Sequence, residues 1–182
     1  IKAIADLANE KAIVTSIDNT FASPINQNPA DFGIDLIMHS ATKYFGGHSD
    51  ICAGAVAGSK EHMDRIWNVS KNLGGSLSDF TVWMLERSMK TMGLRVKKQT
   101  KNAGKIAKWL EKNKTIKKVN YPGLKSHPEH KLAKSQMHGY GAMLSFELAN
   151  GIDSAKFQKA LKLIKASMRL AGIESTVFST AK

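Results

Sequence analysis

The chain has 182 residues, 27 lysines and arginines against 15 aspartates and glutamates for a formal net charge of +12, and 42% apolar residues against 23% charged. That composition supports a folded core and excludes intrinsic disorder, and no apolar run approaches the roughly 20 residues that a membrane span needs. A lone cysteine, Cys52, excludes an internal disulfide, and lysines such as Lys97, Lys101, Lys105 and Lys108, scattered through helical stretches with few aromatics, read as solvated faces and not as a nucleic-acid footprint.

Ile1, Ile4, Ala5 and Ala8 fall at helical spacing, and the β-branched run Ala12 to Ile17 that follows predicts a strand ending at Asp18-Asn19-Thr20. A loop around Pro24 and Pro29 leads to a second strand, Ile34 to His39, ending at Ser40-Ala41-Thr42-Lys43, and Gly46-Gly47 makes a break before a small-residue strand over Ile51 to Gly58. Helical signals follow: Lys60 to Lys71, a helix capped by Ser78, and a long helix from about Arg95 to Asn113. Ile116 to Asn120 reads as a strand closed by Tyr121-Pro122-Gly123, His127 to Met137 as a helix, Ala142 to Leu148 as a strand and Asp153 to Ile164 as a helix. Strands alternating with helices predict an α/β architecture with a mostly parallel sheet in the first half. Cys52 is expected to be a buried small apolar group, and the Met and Trp residues of 83 to 92 are expected in the core.

In an open α/β sheet, ligands bind beyond the carboxyl ends of the strands. Two successive predicted strands end in reactive groups, Asp18 on one and Ser40, Thr42 and Lys43 on the other. A lysine just past a strand, flanked by hydroxyls and near a carboxylate, suits carbonyl–amine chemistry with a phosphorylated cofactor. On spacing alone the bland alternative stays open: a solvated Lys43, turn hydroxyls at Ser40 and Thr42, and an Asx residue at Asp18. His127 and His130 stand at i, i+3 with no third ligand at recognisable spacing, so no metal site is expected, and His39 reads as strand-end structure.

The strings themselves carry more. Asp18-Asn19-Thr20-Phe21, His39-Ser40-Ala41-Thr42-Lys43-Tyr44 and Gly46-Gly47-His48-Ser49-Asp50 closely resemble the signature of the pyridoxal-phosphate (PLP) enzymes of Cys/Met metabolism, the group of cystathionine γ-synthase, cystathionine γ-lyase and methionine γ-lyase. The resemblance continues through Lys90-Thr91-Met92-Gly93-Leu94-Arg95, Tyr121-Pro122-Gly123-Leu124-Lys125-Ser126-His127-Pro128 and Gly141 to Glu147, as far as Ala171-Gly172-Ile173-Glu174-Ser175. It implies pyridoxal 5'-phosphate as cofactor, Lys43 as the lysine bonded to it, Asp18 as the carboxylate at the ring nitrogen, and Ser40 and Thr42 as phosphate-binding hydroxyls. Near the end the family usually carries a serine at the substrate carboxylate where this chain has Arg169, which makes Arg169 a candidate substrate residue.

The implied fold is the later part of a fold-type I PLP-dependent transferase large domain with a mainly parallel sheet, plus the start of a smaller α+β C-terminal domain. The division is expected as residues 1–94 in the large domain and 95–182 in the linking helix and small domain. The implied activity is trans-sulfuration, γ-elimination or γ-replacement on cystathionine or an O-acylhomoserine. Methionine γ-lyase, O-acylhomoserine sulfhydrylase and cystathionine β-lyase chemistry share the same visible residues, and a catalytically silent or nucleic-acid-associated module is the non-enzyme alternative. The expected partners are a small amino-acid substrate and further copies of the chain in a dimer of dimers with sites shared between subunits, with no nucleic acid and no membrane, in the cytoplasm. A start at Ile1 and a stop at Lys182 without a cap suggest a segment of a longer chain, inactive by itself.

Overall fold

The computed structural model describes residues 1–180. Helix α1, Lys2–Glu10, turns Ala5 onto Ile34 and Ile37, with Ile1 and Ile17 packed alongside. The chain then reverses through Ala12 at φ 52°, so only Ser16–Asp18 of the predicted strand forms β1, and Ile13 and Val14 are left exposed. Strand β2, Leu36–Ser40, pairs with β1 in parallel, Ser16 opposite Leu36 and Asp18 opposite Met38. Strand β3, Gly54–Gly58, pairs antiparallel on the other side of β2, so the sheet order is β1-β2-β3 and the parallel expectation is met on one edge of β2 only.

The helices follow the sequence signals closely where a cap is local. Ser59 accepts the His62 amide ahead of α3, Lys60–Leu73, which ends at Gly74 with φ 74°, a left-handed stop that favours glycine. Ser78 accepts the Thr81 amide ahead of α4, Asp79–Met89. The short helix Ser23–Asn26 is α2, and the long helix is α5, Met92–Glu111, three residues earlier at its start than the lysine-rich pattern suggests. Its Ala103 and Ala107 pack on Tyr121 and Leu124, beneath β4, Ile116–Asn120, which pairs antiparallel with β5, Ser145–Leu148. Between them lies α6, His130–Gln136; the turn at 127–129 precedes it, and the His127 ring nitrogen Nδ1 accepts the Glu129 amide there. Asp153 caps α7, Ser154–Ala160, which stops at Leu161 as the backbone turns extended, and β6, Lys165–Ala166, pairs in parallel with β7, Thr176–Val177.

Two core expectations are corrected. Cys52 is exposed: residues 51–53 are a lead-in to β3 in which Ile51 and Ala53 point inward, and alternation turns Cys52 outward. Trp83 is 57% exposed and Met89 40%, because α4 turns only part of its apolar surface toward its neighbours among the described residues; Met92, on α5, is buried. No helix among the described residues is long and apolar enough to cross a membrane.

Tyr121 is 2% exposed and its hydroxyl donates to Gly141 O at 3.0 Å, tying β4 to the segment before β5. Burial pushes its phenol from 10.0 up to about 12. A raised folded value means that the contribution to stability is whole below pH 10.0 and is lost as the pH rises towards about 12. Tyr121→Phe is expected to remove that alkaline loss and, by freeing a buried carbonyl, to cost ~1 kcal/mol at neutral pH. Urea titrations of both proteins at neutral and alkaline pH check it.

Candidate active site

Side chains alternate along β1 and β2, and the parallel register therefore sorts them into two sets. Ile17, Ile37 and His39 face inward, whereas Asp18, Met38 and Ser40 share the opposite face. Asp18 and Ser40 thus stand together at the carboxyl ends of adjacent parallel strands. Past Ser40 the chain winds tightly: Lys43 N–H donates to Ser40 O at 2.9 Å, Gly46 N–H to Ala41 O at 2.8 Å and Gly47 N–H to Lys43 O at 2.6 Å. Lys43 leaves this turn half-buried, three residues beyond Ser40.

Asp18 is held as an anion. The Thr20 hydroxyl and the Thr20 amide, the latter donating to Oδ1 at 2.9 Å, keep its carboxyl below the usual carboxylate range. The Thr20 hydroxyl also accepts the Ser40 amide at 2.7 Å, so one buried threonine joins the two strand ends. His39 lies against Phe45, ring centroids 4.9 Å apart, with its buried Nδ1 lacking a partner among the described residues. Burial pushes the His39 imidazole down while Asp18 pushes it up. Thr20→Val is expected to release both contacts, to raise the Asp18 pKa and to loosen Ser40; carboxyl titration followed by NMR, compared with Thr20→Ser, which keeps the hydroxyl, checks this.

The two hydroxyls differ in their freedom. Thr42 Oγ1 donates to Ala53 O at 3.2 Å and accepts the Ala53 amide at 2.8 Å, which fastens the turn to the strand entering β3. Its single proton is therefore engaged, and a phosphate oxygen would compete with Ala53 O for it. Ser40, half-buried on the open face, has no such commitment to Ala53.

Arg169 stands elsewhere on the same turn's surroundings. It lines a cleft with His48, Ser49, Gly172, Glu174 and Thr176, while the next residues, Leu170 and Ala171, pack on Tyr44, Met92 and Val96. The structure therefore brings the Arg169 segment against the turn that follows Lys43, on the side of His48. Of the histidines set aside, His130 Nδ1 lies 2.7 Å from Pro122 O and helps hold the loop after β4. The sequence patterns assign no site role to Thr20 or to Arg95, which marks only the expected start of the long helix. The signal for Thr20 was local, a hydroxyl two residues after an aspartate, and Arg95 had none.

A carboxylate held below the usual carboxylate range, an amine three residues past a strand and a hydroxyl on the same open face make a donor set that fits pyridoxal phosphate: anion for the ring nitrogen, amine for the aldehyde, hydroxyl for the phosphate. Comparisons with known proteins point to the same cofactor. The family model described as Cys/Met metabolism PLP-dependent enzyme matches residues 1–182. Cystathionine gamma-synthase 1, chloroplastic, of Nicotiana tabacum is 42% identical over 178 residues, 97% of this chain and 33% of its own. Cystathionine beta-lyase of Lactococcus lactis subsp. cremoris (strain MG1363) is also 42% identical over 178 residues, 97% of this chain and 47% of its own. The crystal structure of cystathionine gamma-lyase from Lactobacillus plantarum complexed with L-serine matches with a TM-score of 0.93 at 39% identity, covering 97% of this chain and 47% of that one. The expected α/β fold class is thereby borne out. The chain spans between a third and a half of the length of these curated relatives.

Proposed function

The chain belongs to the Cys/Met metabolism PLP-dependent enzyme family, and on that premise we propose that the protein is a trans-sulfuration enzyme that carries out γ-elimination or γ-replacement on cystathionine or an O-acylhomoserine. The observation that carries this reading is the placement of Asp18 and Ser40 on one open face at the ends of parallel strands, with Lys43 on the turn just beyond.

Pyridoxal phosphate, when bound, supplies an electron sink that makes the substrate α-proton removable. The chain's own residues supply the rest. Lys43 Nζ would hold the cofactor and, as a free amine, would be the base that moves the proton at the substrate α-carbon. Asp18, whose carboxyl the Thr20 hydroxyl and amide hold below the usual carboxylate range, would keep the ring nitrogen protonated. Ser40 would donate to the phosphate, and Thr42, whose hydroxyl donates to Ala53 O, would be a second donor only by giving up that bond. Arg169, in its cleft beside His48, is read as a contact to the substrate's carboxylate end.

The same reading takes residues 1–94 as part of the cofactor-binding large domain and 95–182 as the linking helix and part of the small domain. It places the protein in the cytoplasm as a homo-oligomer, a dimer of dimers with sites shared between subunits. The test is release of α-keto acid from cystathionine, methionine and an acylated homoserine by the PLP-loaded full-length protein. Turnover of cystathionine or the acylated homoserine with a visible band from the lysine-bound cofactor supports the reading, and preferential turnover of methionine favours the methionine γ-lyase alternative. A protein that binds no PLP and releases no α-keto acid overturns it in favour of a silent module.

A further inference from the structure

One side chain outside the site grips the turn that carries Lys43. Arg95, on the first turns of α5, donates from Nη1 to Tyr44 O at 3.0 Å and from Nη2 to Phe45 O at 3.3 Å, the carbonyls of the two residues that follow Lys43. The same guanidinium donates from Nη2 to Ser88 O at 2.9 Å, in the last turn of α4, and from Nε to Thr91 Oγ1 at 3.1 Å. These four acceptors are all uncharged, and the arginine is half-buried.

The arrangement follows from what a helical turn leaves open. The Lys43 turn ends at Gly47, whose amide closes on Lys43 O, so the carbonyls of Tyr44 and Phe45 have no amide ahead of them to accept from. Tyr44 is 2% exposed, so water is a poor substitute there. The carboxyl end of α4 presents Ser88 O to the same spot, and a cation is favoured at the carbonyl ends of both elements. A planar fork satisfies several carbonyls at once, which a lysine ammonium on a flexible stem does not. Room for the fork comes from Gly47: it sits at φ 73°, and a Cβ there would fall 1.8 Å from Arg95 Nη1.

We infer that Arg95 is a positioning residue, clamping the Lys43 turn to the α4–α5 junction so that Lys43 is presented to the face that carries Asp18 and Ser40. This rests on the reading of Lys43 as the cofactor lysine. A merely structural arginine would affect overall stability; a clamp changes the order of one turn and the cofactor bond made from it.

The test compares Arg95→Ala and Arg95→Lys with the parent protein by two readouts. The first is hydrogen exchange at the Gly46 and Gly47 amides before PLP is added, and the second is the visible band formed on PLP titration. Exchange in the turn is expected to quicken about tenfold or more in Arg95→Ala, with a similar fall in apparent PLP affinity, and millimolar guanidinium ion is expected to restore part of both. Arg95→Lys is expected to fall between the two proteins, and it carries the test with the same readouts if Arg95→Ala does not fold. Parental exchange and parental PLP affinity in the folded variant overturn the inference while leaving Lys43 in its role. A visible band that survives Lys43→Ala overturns the reading of Lys43, and the inference with it.

Discussion

Replacing Lys43 by alanine is expected to abolish the visible absorption of the bound cofactor and to bring turnover below detection. No other amine is offered by the turn Ser40–Gly47, which holds only one lysine, and the turn's own hydrogen bonds do not involve the Lys43 side chain. The fold should therefore survive the change, and far-ultraviolet circular dichroism should match the parent. Two functions are lost together. On the proposed reading covalent attachment goes, and PLP held without it should wash out on dialysis. The proton-transfer group goes as well, and loss of a positioned base alone lowers rates by about a hundredfold to ten-thousandfold. Absorption spectra before and after dialysis separate the first loss from the second. A visible band that persists in Lys43→Ala would place the attachment elsewhere and reduce Lys43 to a half-buried surface group.

What the sequence disclosed, and what it did not, divides along the range of the interactions involved. Ser59 and Ser78 cap their helices through amides three residues on, and Asp18 and Lys43 sit where strands end; each of these is written within a few residues of chain. Ala12 broke the first predicted strand because a left-handed residue is set by how α1 must reverse, not by the β-branched run after it. Cys52 and Trp83 looked apolar enough for a core, but burial depends on what lies opposite, and nothing in their own windows states that. Thr42 shows the same limit at the site: a hydroxyl two residues past Ser40 reads as a phosphate donor, whereas the fold has already engaged it with the backbone of Ala53, eleven residues away. Arg95 is the clearest case. Its partners Tyr44 and Phe45 lie 51 and 50 residues earlier, so no local pattern could have linked it to the lysine turn.

Asp18→Asn is expected to leave PLP partly bound while cutting turnover by about a thousandfold or more, an effect of the size found when a preorganised charge is removed from a site. The side chain keeps its shape and its oxygen can still accept the Thr20 amide, which donates to Asp18 Oδ1 at 2.9 Å, so the strand end should hold. What is lost is the charge, and on the proposed reading a neutral amide would no longer keep the ring nitrogen protonated. Asp18→Glu keeps the charge and moves it by a methylene, so it should fall between the two proteins. The pH dependence gives an independent check. Thr20 holds the Asp18 carboxyl below its ordinary 3.8, so its contribution to stability is whole above that value and is lost as the pH falls through the lowered one. Acid unfolding of Asp18→Asn should lack that component, with the part due to Asp35, whose carboxylate is lowered by the Thr15 amide and hydroxyl at 2.8 and 2.7 Å, still present. Equal turnover in Asp18→Asn and the parent, measured at saturating PLP, would show that the carboxylate does not serve the ring nitrogen, whatever the acid unfolding shows.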